Sequence, residues 1–513
     1  MTKRLFYALL AVTLMGGLLA CNKQTTNDLN PEGQSTGDTY MSVAFSTANP
    51  NTARAAEDPS FNSIGNYIGR DKIKDVTVYV IDASTDAITK ETFTTVTDNP
   101  DGNADTQDFR TEAWKTTAGD KIVYVYVNIA GTPIKDALDA ATNKTAFEAA
   151  NKDAYALVAS GAVKDAYAQF DGTNDIIAMS CVEPMPLTVN PGVSKSDAEA
   201  GTDNRADLTV RRLVAQAAVT TSADKFEVKD ASDNTLITFN DLKWDVMQYE
   251  QSTYLMPQPT AAGADATRVE FCKTPSFEFI PTATNYTTDA GTKYAYRAFD
   301  GTKVSTLAAT ANDAAKIAAI VAKPMRFITE TTHLKGGKLA TDGGSAPFTG
   351  YRKGNTTYVI ISAKITPSGT AWATGEEAKS GDDLFYGVQD KKFYKDEAVA
   401  KANNEPSTAF TDGRDNVIKY TGGLCYYVAW LNPDNVGDPT VSPIIRNNIY
   451  HLNIKLIKSL GYSGNPLNPN GDNPQDPDDK TPKPEETLYP VNTYMAVTVT
   501  IINWGVHSHD IEF

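Results

Sequence analysis

Apolar residues fall at every second position in one segment after another, the period at which side chains of an extended strand turn to opposite faces. Residues 73–81 alternate in this way, and residues 121–128 are apolar on both faces, as expected of a strand in the middle of a sandwich. Residues 145–161, rich in Ala and Leu, predict a short helix. Strands are expected to begin at residues 176–180 and 185–189. The run from Asp207 to Val219 is too long for one strand and is expected to pass from one domain into the next. The second half repeats the style at residues 242–246, 357–365, 425–432 and 445–456. The polar insertions at 287–313 and 368–415 predict surface loops.

One pattern occurs twice. Thr39-Tyr40-Met41-Ser42-Val43-Ala44-Phe45 and Thr493-Tyr494-Met495-Ala496-Val497-Thr498-Val499 share Thr-Tyr-Met-x-Val-x-apolar. Met41, Val43 and Phe45 share one face of the first; Met495, Val497, Val499 and Ile501 share one face of the second. Such segments fit the same groove of a sheet, one after the other; a chance match between Val- and Thr-rich strands is the alternative. Before the second copy, residues 465–490 are dense in Pro, Asp, Asn and Gly, which predicts an extended, semi-rigid arm without a core of its own. After the first copy, residues 49–59 place small residues around Arg54, as in loops that proteases cut and equally in ordinary solvated loops. Cleavage after Arg54 would leave the first strand with no covalent bond to the rest.

The 513 residues, 41% hydrophobic and 21% charged, suffice for two full cores. A net charge of −16 argues against nucleic acid, which requires clustered cations. At the N-terminus Lys3 and Arg4 precede the apolar run from Leu5 to Leu19, an export signal too short for a comfortable membrane span. It ends Leu18-Leu19-Ala20-Cys21, resembling a bacterial lipobox in which Cys21 is acylated; residues 22–38 read as a polar tether. Cys181, Cys272 and Cys425 have no metal-ligand spacing, and Cys425 reads as a buried free thiol. Of the four histidines, His451 reads as structural, and His507 and His509 form a strand-spaced pair near Asp510 that suits a metal only by chance. No nucleophile elbow, phosphate loop, dinucleotide fingerprint or calcium loop is present, so neither enzyme activity nor a cofactor is expected. Carboxylate pairs in a cleft stay open.

With these features the chain resembles the fimbrillins of Bacteroidales type V pili, close to the major stalk subunits of short and long fimbriae. The resemblance covers most of the chain. It rests on the lipobox at Cys21, the first strand followed by Arg54-Ala55, and the long strand with Arg211-Arg212. Its most specific part is Tyr426-Tyr427-Val428-Ala429-Trp430 leading to Arg446-Asn447-Asn448-Ile449-Tyr450, with Asn503-Trp504 closing the last strand. The resemblance implies an all-β chain of two transthyretin-like β-sandwiches. The corresponding divisions are a lipoprotein signal peptide (1–20), a propeptide with the removable strand (21–54), sandwiches at 55–211 and 212–464, the arm (465–490) and a donor-strand region (491–513). It further implies an outer-membrane lipoprotein precursor, cut by an Arg-specific protease at Arg54-Ala55, with Arg70 and Arg110 as other possible cuts. The subunit then joins a head-to-tail polymer on the cell surface, with other fimbrial subunits as partners. Residues 22–26 lack the acidic run that often accompanies surface export in this phylum, so surface display follows from the family alone. The rival readings are a tip or accessory adhesin, a monomeric lipid-anchored glycan-binding protein and, weakest, a lipoprotein hydrolase.

Overall fold

The computed structural model describes residues 39–47, 63–98, 107–259, 272–337, 350–405, 416–433, 440–469, 471, 474, 481–488, 495–503 and 505–511. A ten-stranded sheet occupies the N-terminal part of the chain. It contains β1 (Thr39–Thr47), β2 (Val76–Asp82), β3 (Asp108–Arg110), β4 (Trp114–Thr116), β5 (Gly119–Val127), β6 (Met179–Cys181) and β7 (Arg205–Arg212). Ile88–Phe93, Thr97–Asp98 and Met185–Val189 complete it. Its order runs Ile88–Phe93, β2, β5, β6, β7, β1, β3, Thr97–Asp98, with β4 also on β1 and Met185–Val189 on β5. β2 and β5 pair antiparallel along Val76–Asp82, and Val78, Val80, Val123, Val125 and Val127 are buried, so both strands are apolar for the reason that both lie inside.

Two further sheets form the C-terminal part. The first, of seven strands, is built on β8 (Val214–Thr221). The second is led by β9 (Thr235–Met247), β10 (Tyr358–Pro367) and β11 (Leu424–Trp430), joined by Phe226–Lys229 and Thr302–Lys303. β12 (Asn448–Ile457) runs parallel to β8, and β13 (Met495–Asn503) and β14 (Gly505–Ile511) follow it in the seven-stranded sheet, with Ser63–Asn66 at its edge. Phe239, Trp244, Val359 and Ile361 of one sheet share an apolar cluster with Val219, Ile449, Leu452 and Ile454 of the other.

The long run 207–219 divides at Leu213: β7 ends at Arg212 in the N-terminal sheet, and β8 begins at Val214 in the seven-stranded one. The helix expected over 145–161 is shorter, α1 (Lys144–Lys152). Asn143 caps its start, and beyond Asp153 the chain is extended, because Tyr155 pairs with Thr253. The insertion 368–415 is no plain loop: Leu384–Gly387, Phe393–Tyr394 and Val417–Tyr420 form a small sheet, and Phe385, Tyr394, Ala400 and Val417 bury against one another. In the insertion 287–313, Tyr294 is likewise buried, beside His333 and Phe279. The described parts of the arm also depart from a coreless linker. Leu467 and Leu488 are each 1% exposed, and the Gly354 amide donates to the Pro484 carbonyl at 2.8 Å. Its two apolar residues have a cluster to join, with Tyr358 and Trp430.

Candidate functional site

β1 is an interior strand. It lies parallel to β7 from Ser42 to Thr47, and antiparallel to β4 over Thr39–Met41 and to β3 over Ala44–Ser46. Met41 and Val43 are fully buried and Phe45 is 2% exposed, with its ring stacked on Phe109 at 5.3 Å between centroids. The Val43 amide donates to Thr111 Oγ1 at 3.1 Å, and the Thr111 amide donates to the Val43 carbonyl at 2.9 Å. Without β1, two ladders and an apolar trough would face water.

The Thr39 end of the slot and its outer face at Ser42 are closed by elements that the sequence did not single out. The Thr39 hydroxyl donates to the Asn190 carbonyl at 2.6 Å and accepts from the Val193 amide at 3.2 Å and Asn204 Nδ2 at 3.1 Å. Asn204 Nδ2 also reaches the Tyr40 carbonyl at 2.9 Å, while Asn204 Oδ1 accepts from the Asn190 amide at 2.7 Å. Over the outer face lies α2 (Lys195–Ala200), capped by Ser194 and ended by Gly201 at φ +75°. The Ser42 hydroxyl donates to the Ala198 carbonyl of that helix at 2.5 Å. A Gly-Thr-Asp-Asn turn at 201–204 was the available sequence signal, but turn residues are common and nothing local says what they face.

Of the second Thr-Tyr-Met segment, Thr493 and Tyr494 lie outside the described residues, and the part from Met495 on belongs to the seven-stranded sheet. β13 pairs antiparallel with β12, Ile457 opposite Met495 and Leu452 opposite Val499, and turns into β14. Val497 and Ile501 lie on the same strand. Cys21, Arg54, Ala55 and Trp504 lie outside the described residues. Arg70 is bound to Asp175 at 3.2 Å and its guanidinium sits 4.2 Å over the Phe170 ring; Arg110 belongs to β3. Both are held in ordered structure.

The Arg446-Asn447 block joins the two halves. Arg446 Nε donates to Glu330 at 3.0 Å and its other nitrogens to Thr253 Oγ1, Tyr254 O and Leu255 O, all but the Tyr254 bond buried. Asn447, at φ +70°, accepts from Arg212 Nη1 at 2.6 Å, and Arg212 is paired with Asp71. Cys181, Cys272 and Cys425 are buried free thiols, and burial pushes the Cys425 thiol up to about 11. His451 is buried against the Thr220 hydroxyl at 2.8 Å. Among the described residues no His, Cys, Asp and Glu cluster suits a metal ion.

Residues 418–510 match the family described as "Major fimbrial subunit protein type IV, Fimbrillin, C-terminal". The chain is 33% identical over 533 residues to the minor fimbrium subunit Mfa1 of Porphyromonas gingivalis, covering 98% of this chain and 99% of that protein. Among solved structures, a fimbrilin (FimA) from Porphyromonas gingivalis W83 is 13% identical, covers 91% of this chain and 98% of its own, and has a TM-score of 0.42. The tip fimbrial protein Mfa3 from Porphyromonas gingivalis, with a C-terminal truncation, is 12% identical, covers 91% of this chain and 100% of its own, and has a TM-score of 0.37. On the near full-length identity to Mfa1, this chain belongs to the Bacteroidales fimbrillin family and is a fimbrial subunit.

Proposed function

We propose that the chain is a stalk subunit, exported as a lipoprotein acylated at Cys21, cut after Arg54 and polymerised by strand exchange. The observation that carries this reading is β1 itself, an interior strand with three buried apolar residues, whose Thr-Tyr-Met sequence recurs at 493–495. Removal of β1 unpairs β7 on one side and β3 and β4 on the other. Exposed ladder groups and apolar surface are both costly in water, and an added strand repairs both. Met495, Val497 and Val499 of a neighbouring subunit take the places of Met41, Val43 and Phe45. Each buried side chain contributes roughly 1.5–3 kcal/mol, so three together favour an interface that opens slowly. The donor hairpin first leaves β12 of its own chain. Because the contact runs head to tail and does not close, it propagates a filament.

Arg54 is the favoured cut, since Arg70 and Arg110 are engaged in ordered structure while proteases require an accessible extended segment. A terminal subunit needs no strand to donate at one end, so the C-terminal copy favours a stalk position over a tip. The test is the N-terminal residue of the protein sheared from the cell surface, read by peptide mass mapping. A mature start at Ala55 is expected; a lipidated Cys21 still joined to Thr39–Thr47 would sink the reading and favour a self-complemented anchored protein. Val497→Asp is expected to stop polymerisation and leave the monomer folded, and an unchanged ladder of polymers on a denaturing gel would refute it.

A further inference from the structure

The apolar pattern of the donor segment does not determine its own register. In phase with β1, Met495, Val497 and Val499 replace Met41, Val43 and Phe45. Slipped by two, Val497, Val499 and Ile501 fill the same three places with equal apolar character. Two polar positions of the slot, 39 and 42, distinguish the two. Position 39 is a buried socket that needs a group able to donate and accept together: it donates to the Asn190 carbonyl and accepts from the Val193 amide and Asn204 Nδ2. A hydroxyl does this; a thioether does not. In phase the socket receives Thr493, chemically identical to Thr39; slipped by two it receives Met495.

At position 42, near the middle of β1, Ser42 donates to the Ala198 carbonyl. In phase this place receives Ala496 and loses that bond; slipped by two it receives Thr498, which keeps a hydroxyl. The loss in phase is small, because the Ala198 carbonyl already accepts from the Gly201 amide. Thr498 would also bring an extra methyl beneath α2, where Ser42 is 1% exposed. Three bonds at the fully buried Thr39 outweigh one at position 42.

We infer that the Asn190–Val193–Asn204 socket selects the donor strand of a second copy of this chain by capturing the Thr493 hydroxyl, which sets the register of every subunit junction. This rests on the strand-exchange reading above. Ala44 faces Arg110 across β1 and β3, between the hydrogen-bonded positions Val43–Thr111 and Thr47–Gln107, a close non-hydrogen-bonded pair suited to a disulfide. Thr498 takes the Ala44 place in phase, and Thr500 takes it after a slip of two. In the full-length chain, expressed in cells that export it, Arg110→Cys with Thr498→Cys is expected to give a covalent subunit ladder on oxidation, and Arg110→Cys with Thr500→Cys none. Cross-linking by the Thr500→Cys pair instead would overturn the register and leave strand exchange standing. Polymers that form and cross-link with neither pair would overturn the strand-exchange reading itself. Independently, Thr493→Val is expected to slow polymer formation by roughly tenfold or more, with Thr493→Ser restoring it. Unchanged assembly of Thr493→Val would overturn the socket.

Discussion

Asn204 sits at φ +51°, a conformation Asn tolerates better than most residues, and holds three backbone or hydroxyl groups around Thr39. Asn204→Ala leaves buried donors and acceptors unmatched and is expected to cost the uncut chain about 2–3 kcal/mol, read by urea unfolding. His333 shows burial acting on a titratable group. Its ring nitrogens lie 3.0 Å from the Phe277 and Asn355 carbonyls, yet desolvation dominates and lowers its pKa to about 4. The unfolded chain, with a His pKa near 6.5, takes up a proton that the folded chain refuses. Its contribution is therefore intact above pH 6.5 and lost as pH falls toward 4, on the order of 3 kcal/mol. Glu250, pushed up to about 8 by burial, acts in the opposite sense as pH rises from about 4.5. The difference between the parent and His333→Gln isolates the histidine: its unfolding curves from pH 7 to 4 should show a shallower acid decline, and parallel declines would refute the assignment.

Among elements, β1 is distinguished by its neighbours rather than by its composition. β2 and β5 are just as apolar, but they pair with each other, and β2 also with Ile88–Phe93 directly after it, while β1 lies between segments from residues 108–116 and 205–212. An interior strand that precedes every other strand of its sheet in the chain can be exchanged without cutting the rest of the sheet. Val43→Asp tests this directly. A carboxylate in the trough should destabilise the uncut precursor by about 3 kcal/mol or more. If the polymer forms by the proposed strand exchange, it lacks β1 and should keep its resistance to heat and detergent. Reduced resistance in the purified polymer would mean that β1 remains. Alternation marked most strands in the sequence, since one buried face per strand imposes a period of two. The boundaries at Lys152 and Leu213, and the small sheet that Leu384–Gly387 and Phe393–Tyr394 form with Val417–Tyr420, were not legible because distant pairing decides them: Tyr155 is extended through Thr253, and Leu384 through Tyr420.

At the scale of the molecule, the two halves are tied by buried charge. Asp71 from the N-terminal part holds Arg212 at the end of β7, Arg212 holds Asn447, and the Asn447 amide donates to the Val214 carbonyl at 2.9 Å. Next to it, Arg446 is 1% exposed and neutralised by Glu330 at 2%. Removing one member strands the other in a medium of low polarity, which is more costly than the intact pair is favourable. Arg446→Met is expected to lower stability by about 3–5 kcal/mol, with Glu330→Gln in the same chain recovering part of it; calorimetry of the purified precursor reads both. Additive losses in the double variant would contradict the pairing.

The sequence by itself determined the strand-rich class, the repeated Thr-Tyr-Met segment and the resemblance to fimbrillins, because periodicity and local motifs are properties of neighbouring residues. Only the tertiary structure decided that β1 is interior, that the ends of the Pro-rich arm pack against the C-terminal sheets, and that Asn190, Val193 and Asn204 converge on one threonine hydroxyl. The last of these joins Thr39 to residues 151 to 165 positions away. No local pattern encodes such a meeting; it follows from the burial of apolar faces and the need to satisfy every polar group carried in with them.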